Sequence, residues 1–228
     1  KRTQAEQGAI ARESARATLL AGFTGARDVG TYIAWVDRDL RDAINQGNAV
    51  GPRMQVAGYY LTIPAGAGDL VRPGHAGAEI PPEVRRCVAR GPEQFRQKAE
   101  QAVAGGADLL KIIASGAVLA FGGVPGEREM LPEEIKAVVD VAHAHDKRVS
   151  AHAHGAQSIK DAILAGADTI EHASLIDDEG IRLAQEHGVA LSMDVYNGDW
   201  IDTVGREEKW PDEFLRKNVE TTEAQRQG

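Results

Sequence analysis

The sequence is poor in several residue types, and each shortage excludes a class of protein. It has one cysteine, Cys87, in 228 residues, so an internal disulfide cannot form. Aromatic residues make up only 5%, so alanine and aliphatic side chains must fill any core. No apolar run approaches the roughly 20 residues that a membrane-spanning helix needs, which argues against a membrane protein. Lysine and arginine total 26 against 34 acidic residues, which argues against a nucleic-acid partner.

A regular alternation of helical and strand patterns runs along the whole chain instead. Hydrophobic residues reach 43%, so we expect a single packed domain over residues 1–228. Six predicted strands, each followed by a helix or the start of one, favour a parallel α/β fold, either a doubly wound sheet or a (β/α)8 barrel. A closed barrel needs eight strands, so this chain would be two short. A short phrase repeats before several of the strands: a predicted helix ends in a small or turn residue followed by Gly. The phrase occurs at Ala21-Gly22, Gly105-Gly106, Ala165-Gly166 and His187-Gly188.

The predicted elements follow from the spacing of apolar residues. The strands are expected at 26–29, 53–60, 109–114, 148–153, 167–172 and 189–195. Helices are expected at 5–21, around 36–44, and at 92–104, 132–142, 158–164 and 178–186. Two Gly- and Pro-rich segments, 62–91 and 115–130, are predicted to be long loops, which are usually functional or disordered.

Three nitrogen-bearing side chains stand at the ends of three predicted strands. Lys111 ends the run 108–111, His152 ends the run 148–152, and His172 ends the run 169–172. In parallel α/β proteins the carboxyl ends of the strands are where binding and catalysis are assembled. Neutral imidazole is a common ligand of zinc. The pattern therefore predicts a metal site.

Lys111 has three interpretations that the residues alone leave open. A lysine at a strand end can simply hold its ammonium group in water. If it is buried, its pKa falls and the neutral amine can form a Schiff base with a carbonyl substrate. The same amine can add carbon dioxide to become a carbamate, an anionic ligand that can bridge two divalent metals.

The other histidines are interpreted by their positions. His154 follows His152 by two residues, so its side chain points the same way if the strand continues. We favour His152 as the ligand of this pair because it comes first at the strand end. The remaining four are interpreted as structural or solvated: His75, His143, His145 and His187.

Three phrases, in this order, closely resemble the amidohydrolase superfamily, in its imidazolonepropionase-like or Xaa-Pro dipeptidase-like branch. They lie at 107–116, 150–155 and 166–172, and segments 23–30 and 51–53 also fit. The resemblance implies a (β/α)8 TIM barrel of the metal-dependent hydrolase type, with two divalent metal ions, usually zinc. Lys111 would be the carbamylated bridging lysine of the fourth strand, and His152 and His172 would be the ligands on the fifth and sixth strands.

The same resemblance implies further site residues and points to missing ones. His154, Tyr196, Ser115 and Gly116 match positions near the substrate. The family has a His-x-His pair on its first strand and a general-base Asp on its eighth, and neither has a counterpart here. We therefore expect strands 2 to 7 only, a general base beyond Gly228, and a segment that is inactive alone. Ala67 stands where the family usually has a Gly-Gly-His phrase, which removes one expected pocket contact.

The function implied is hydrolysis of an amide-type C–N bond through a metal-bridging water, in a dipeptide, an N-acyl amino acid or a cyclic amide. One alternative is a Schiff-base lyase or aldolase that uses Lys111. Another is a non-catalytic barrel remnant. The expected partner is a small-molecule or dipeptide-like substrate, and the open strand edges of an incomplete barrel would also allow an oligomer. The compartment is open, with the cytoplasm as the default.

Overall fold

The chain alternates helices with parallel strands in the computed structural model, which describes residues 3–71, 80 and 82–227. Its strands are β1 (Gly25–Asp28), β2 (Arg53–Val56), β3 (Tyr60–Leu61), β4 (Leu109–Ile113), β5 (Arg148–Gly155), β6 (Thr169–Leu175) and β7 (Ala190–Ser192). Its helices are α1 (Gln4–Leu20), α2 (Val36–Asn45), α3 (Gly91–Ala104), α4 (Pro132–Ala144), α5 (Ala156–Ala165), α6 (Asp178–His187), α7 (Asn197–Glu207) and α8 (Asp212–Gln227). A short 3₁₀ turn occupies Pro82–Arg85. Part of the predicted loop 62–91, including His75, lies outside the described residues.

The strands form two parallel sheets. One contains β1 and β2, and the other contains β3 to β7 in chain order. Within the described residues these sheets do not close into a barrel. The parallel α/β fold predicted from the sequence is thus confirmed, whereas the assignment to barrel strands 2 to 7 stays a prediction.

The predicted strand at 53–60 is in fact two strands that belong to different sheets. Gly58 separates them with a φ of 75°, a left-handed conformation that suits glycine. A Cβ at Gly58 would lie 2.4 Å from the Trp35 ring, so only glycine fits this close approach. The Gly58 amide also donates to Asp37 Oδ2 at 2.8 Å, which fixes the bend. The prediction of six strands was therefore wrong, because this division gives seven strands among the described residues.

The glycines of the repeated phrase have the predicted conformation. Gly22, Gly106, Gly166 and Gly188 all have positive φ, between 67° and 100°. A Cβ at Gly22 or Gly188 would meet nothing within 4 Å, so the backbone angle, and not crowding, selects glycine there. The last predicted element ends at residue 195, so helices α7 and α8 were not predicted as separate elements.

The core lies between the five-stranded sheet and its helices, and it is mainly aliphatic, as the shortage of aromatics requires. Its largest fully buried side chains include Phe95, Leu110, Ile112, Ile135, Ile159, Ile163 and Ile170. Cys87 is a buried free thiol. In the described part of the chain, no helix has both the length and the apolar character needed to cross a bilayer.

Candidate metal centre

Three imidazole rings meet at the carboxyl ends of β5 and β6. The ring centroids of His152, His154 and His172 are 4.6 to 4.8 Å apart. Their candidate ligand nitrogens all lie within 4.8 Å of one another. His152 and His154 are buried, and the His172 side chain is 31% exposed. His172, on β6, is therefore the most exposed of the three.

An irregular backbone lets His172 join the other two rings. The register pairs His152 with Glu171 and Ala153 with His172, so simple alternation would turn His172 away from His152. His172 and Ala173 have φ of 73° and 50°, and the pairing shifts between Ala153 and Gly155. Irregularities of this kind commonly re-aim a side chain at a functional site, and positive φ stores strain. We infer that the backbone is strained here to bring in the third imidazole.

Hydrogen bonds orient two of the rings. His154 Nδ1 lies 2.9 Å from Ser174 Oγ, and His172 Nδ1 lies 2.9 Å from Asp194 Oδ2. When Nδ1 is held in this way, Nε2 is left to bind a ligand, which is the usual support of a metal-bound histidine. Although burial raises the pKa of Asp194, its hydrogen bond and charge interaction with His172 lower it to about 2. Asp194 therefore stays an anion that accepts from His172.

Burial keeps the imidazoles of His152 and His154 neutral. Burial lowers the pKa of His152 well below its usual value, and His154, His172 and Lys111 add to the effect. Burial also lowers the pKa of His154 to about 3. Neutral imidazole is the form that ligates metals. Buried neutral imidazoles such as those of His152 and His154 fit a divalent ion such as zinc.

Lys111 is buried beside this cluster, on β4. Only 4% of the residue is exposed, so an ammonium group held in water does not fit. Burial lowers the pKa of Lys111 to about 7, while Glu171 raises it and Arg27 lowers it. Lys111 Nζ lies 3.4 Å from Ser150 Oγ. A substantial fraction of the amine is therefore neutral near pH 7, which both Schiff-base and carbamate chemistry require.

A polar network supports the lysine from the adjacent strands. Glu171 Oε1 accepts hydrogen bonds from Arg27 at 2.7 Å, from Thr169 at 2.8 Å and from Ser150 at 2.9 Å. Arg27 also donates to Thr169 Oγ1 at 2.8 Å, so it ties β1 to β6. Although burial raises the pKa of Glu171, Lys111 and these hydrogen bonds leave it lowered overall. Glu171 directly precedes His172, and its role beside Lys111 was not predicted from the sequence.

The three histidines form part of the wall of a cavity of about 230 Å³. Its apolar side comes from β3, β4 and the loops after β1 and β4, and includes Tyr32, Tyr60, Ile113, Val118 and Leu119. Helix α8 supplies a polar side with Asn218, Thr221, Thr222 and Gln225. The arrangement places a space for a small molecule directly against the imidazoles.

The other predicted substrate residues do not lie in the cavity wall, and only Ser115 and Gly116 contact the histidines. Ser115 is fully buried, and its Oγ accepts from the His154 amide at 2.9 Å and donates to the Gly116 carbonyl. That Gly116 carbonyl lies 3.4 Å from His152 Nε2. Tyr196 is 86% exposed at the start of α7. The substrate roles of these three residues stay predictions.

The comparison with known families decides which family this is. The model of the amidohydrolase family matches residues 4–226. This chain belongs to the amidohydrolase family. The resemblance of the three sequence phrases to the amidohydrolase superfamily is thereby confirmed.

Similar proteins are known in sequence and in structure. Ochratoxinase of Aspergillus niger is 33% identical over 201 residues, which cover 81% of this chain and 40% of the fungal enzyme. Its crystal structure covers 98% of this chain with a TM-score of 0.87, at 27% identity and over 53% of that chain. The crystal structure of a Xaa-Pro dipeptidase with methionine bound in its active site covers 99% of this chain and 55% of its own, with a TM-score of 0.87 and 32% identity. The chain thus spans about half, or less, of the length of these relatives.

Proposed function

We propose that this chain carries the metal-binding part of a hydrolase that cleaves an amide-type C–N bond. The observation that carries the proposal is the cluster of three imidazoles, with ligand nitrogens within 4.8 Å of one another, beside the buried Lys111. A divalent ion bound there would supply Lewis acidity, which polarises a carbonyl and makes water a better nucleophile near neutral pH. The similarity to a dipeptidase favours an amide as the bond that is cleaved.

Each of the three histidine side chains has a proposed role. His152 and His172 are metal ligands, as their strand positions indicate. His154 was assigned to the substrate from the family resemblance, and its position in the cluster makes it equally suited to be a third ligand. Loss of zinc affinity in His154→Ala would identify a ligand, whereas a raised KM with zinc retained would identify a substrate contact.

Lys111 is proposed to act as a carbamate. Its neutral amine adds to carbon dioxide, so a C–N bond forms and the amine proton leaves to solvent. The product is an anion whose two oxygen atoms would be ligands for a divalent ion. The lowered pKa supports this step, because only the unprotonated amine reacts.

The proposed substrates are dipeptides, N-acyl amino acids or cyclic amides. Full activity would also need the first-strand His-x-His pair and the last-strand Asp that the family resemblance implies. We therefore propose that the 228-residue segment binds metal but is inactive, or nearly so, on these substrates by itself.

The test is zinc-dependent hydrolysis by a complete barrel that contains this segment. A panel of Xaa-Pro dipeptides and N-acetyl amino acids is incubated with protein that has been stripped by a chelator and then reloaded with zinc. Hydrolysis should disappear on stripping, return with zinc, and be lost in His172→Ala. The matched control is His143→Ala, an exposed histidine on α4 that lies away from the cluster. Hydrolysis that survives stripping, or equal loss in both variants, would contradict the proposal.

The low pKa of Lys111 also favours the Schiff-base alternative, so that reaction needs its own test. Borohydride reduction in the presence of a keto acid would leave a stable adduct on Lys111, which peptide mass spectrometry detects. An adduct without zinc-dependent hydrolysis would favour the lyase. A complete barrel that binds zinc but shows neither reaction would favour the non-catalytic remnant.

A further inference from the structure

A buried lysine outside the metal centre joins helix α8 to the loop after β4. The Lys217 side chain is only 2% exposed. Its ammonium group donates to the carbonyl oxygens of Ala120 at 2.9 Å and Gly122 at 2.6 Å, and it pairs with Glu213 Oε1 at 2.8 Å. These three acceptors match the three donors of an ammonium group. Because a buried charge is costly unless its partners are in place, this contact fixes α8 and the loop in one relative position.

Two further contacts strengthen the same link. The Gly122 amide donates to Glu213 Oε1 at 2.9 Å. The rings of Phe121 and Phe214 pack at a centroid distance of 4.7 Å. The hydrogen bond from Lys217 lowers the pKa of Glu213, so that carboxylate stays ionised. One turn of α8 thus holds the loop by charge, backbone and aromatic contacts.

Both linked segments supply part of the cavity wall. The wall residues of α8 recur every three or four positions, so they share one face of the helix. They are Asn218, Thr221, Thr222 and Gln225. The loop supplies residues 117–119, directly before the Ala120 carbonyl that Lys217 binds. The spacing between these two parts of the wall therefore depends on Lys217.

Each segment also has an anchor that does not involve Lys217. Asn218 Nδ2 donates to the Gly198 carbonyl at 2.8 Å, which joins α8 to α7. A Cβ at Gly198 would lie 2.0 Å from Thr222 Oγ1, so these two helices pack closely. At the base of the loop, the Glu129 carboxylate accepts from the Ala67 amide at 2.9 Å. Loss of the Lys217 contacts should therefore release α8 from the loop without unfolding either segment.

We propose that Lys217 is a positioning residue that sets the width of the cavity, and thereby the size of the substrate group that the cavity admits. Because Lys217 holds α8 against the loop, the cavity stays narrow. Amides with a compact group are then accepted, and amides with a broad, fused-ring group are excluded. This inference rests on the proposed amide hydrolysis for the reaction, and on the contacts of Lys217 for the size limit.

The test compares the binding of two neutral amides, benzamide and 1-naphthamide, which differ in the width of the apolar group. NMR titration of the zinc-free 228-residue chain measures both dissociation constants, so no turnover is needed. Wild type should prefer benzamide by about ten-fold, a common scale of size discrimination in a pocket. Lys217→Met should bring this preference close to unity, whereas a merely structural role would weaken the binding of both amides equally. Lys160→Met is the matched control, because Lys160 also pairs with two carboxylates but stands outside the cavity wall.

A second measurement follows the position of α8 directly. Spin labels are attached at Leu119→Cys in the loop and Glu220→Cys on α8, which are 43% and 61% exposed in the native chain, while Cys87 is buried. Lys217→Met should lengthen and broaden the distribution of distances between the labels. Glu213→Gln removes one charge of the link and keeps its shape, so it should cause a smaller change in the same direction. That variant carries the test if Lys217→Met does not fold.

Four results would each overturn the inference. They are unchanged label distances in the folded variants, an unchanged preference for benzamide, an equal change in Lys160→Met, and no binding of either amide to wild type. Failure of the hydrolase proposal would appear separately, as absent zinc-dependent hydrolysis. It would leave the label distances and the ratio of the two dissociation constants as they are.

Discussion

The buried amine of Lys111 should reduce the stability of the fold, and Lys111→Met should recover part of that loss. Burial lowers its pKa from 10.5 to about 7. A difference of roughly 3.5 pH units corresponds to about 5 kcal/mol, at about 1.4 kcal/mol per unit. Below pH 7 the amine is protonated in both states, so the folded chain bears the whole penalty. Between about pH 7 and 10.5 the unfolded chain binds more protons, so wild-type stability rises with pH.

The expected gain in Lys111→Met is smaller than the full penalty. Methionine fills a similar volume without a charge, but it also removes the favourable interaction of Lys111 with Glu171. We therefore expect a rise of about 2 to 5 kcal/mol in the free energy of unfolding near pH 6.5. The gain should shrink towards zero as the pH approaches 10, where the wild-type amine is neutral.

Urea unfolding at several pH values checks this prediction. The buffers must be free of metal and carbon dioxide, because a carbamate would change the charge of Lys111. Lys136→Met is the matched control, since the Lys136 side chain is 56% exposed. Its effect should stay within about 0.5 kcal/mol at every pH. If Lys111→Met lowers stability near pH 6.5, or if its gain does not depend on pH, the amine is not desolvated as the structure indicates.

Three further changes test the supports of the site. Asp194→Asn removes the anion that holds His172 Nδ1. Zinc affinity, measured by competition with a chelator, should therefore fall about 10- to 100-fold. Unchanged affinity would exclude the orienting role of Asp194. Gly155→Ala puts a Cβ 2.0 Å from a backbone oxygen of the loop after β4. Thermal unfolding should therefore show that the free energy of unfolding falls by about 1–3 kcal/mol. An unchanged free energy of unfolding would mean that the loop moves freely. Arg27→Met breaks the ion pair with Glu171, in which the Arg27 side chain is 28% exposed. Because the pair is partly buried, the free energy of unfolding in urea should fall by about 1–2 kcal/mol. An unchanged free energy of unfolding would indicate that the pair is solvated.

Much of the fold could be predicted because the local signals agree with the tertiary structure. Strands β4 to β7 begin within two residues of the predicted positions, since apolar runs bounded by glycine have few other solutions. The division of β2 from β3 could not be predicted, because it depends on the packing of Trp35 against Gly58. Local apolar spacing carries no information about that contact.

The sequence predicted only those residues of the candidate site that stand at the ends of predicted strands. Lys111, His152 and His172 follow directly from their positions at the ends of apolar runs. Asp194, Ser174 and Arg27 were missed because their contacts depend on the three-dimensional placement of β6, β7 and β1.

The positive φ of His172 likewise has no local signature, since no glycine marks it.

The central claim is that the imidazoles on β5 and β6 hold a divalent ion. The most direct measurement is the zinc content of the purified chain after dialysis against zinc, by inductively coupled plasma mass spectrometry. We predict about one tightly bound zinc ion per chain in wild type and in His143→Ala, and none in the double variant His152→Ala/His172→Ala. Equal zinc in all three proteins, or none in any of them, would contradict the account.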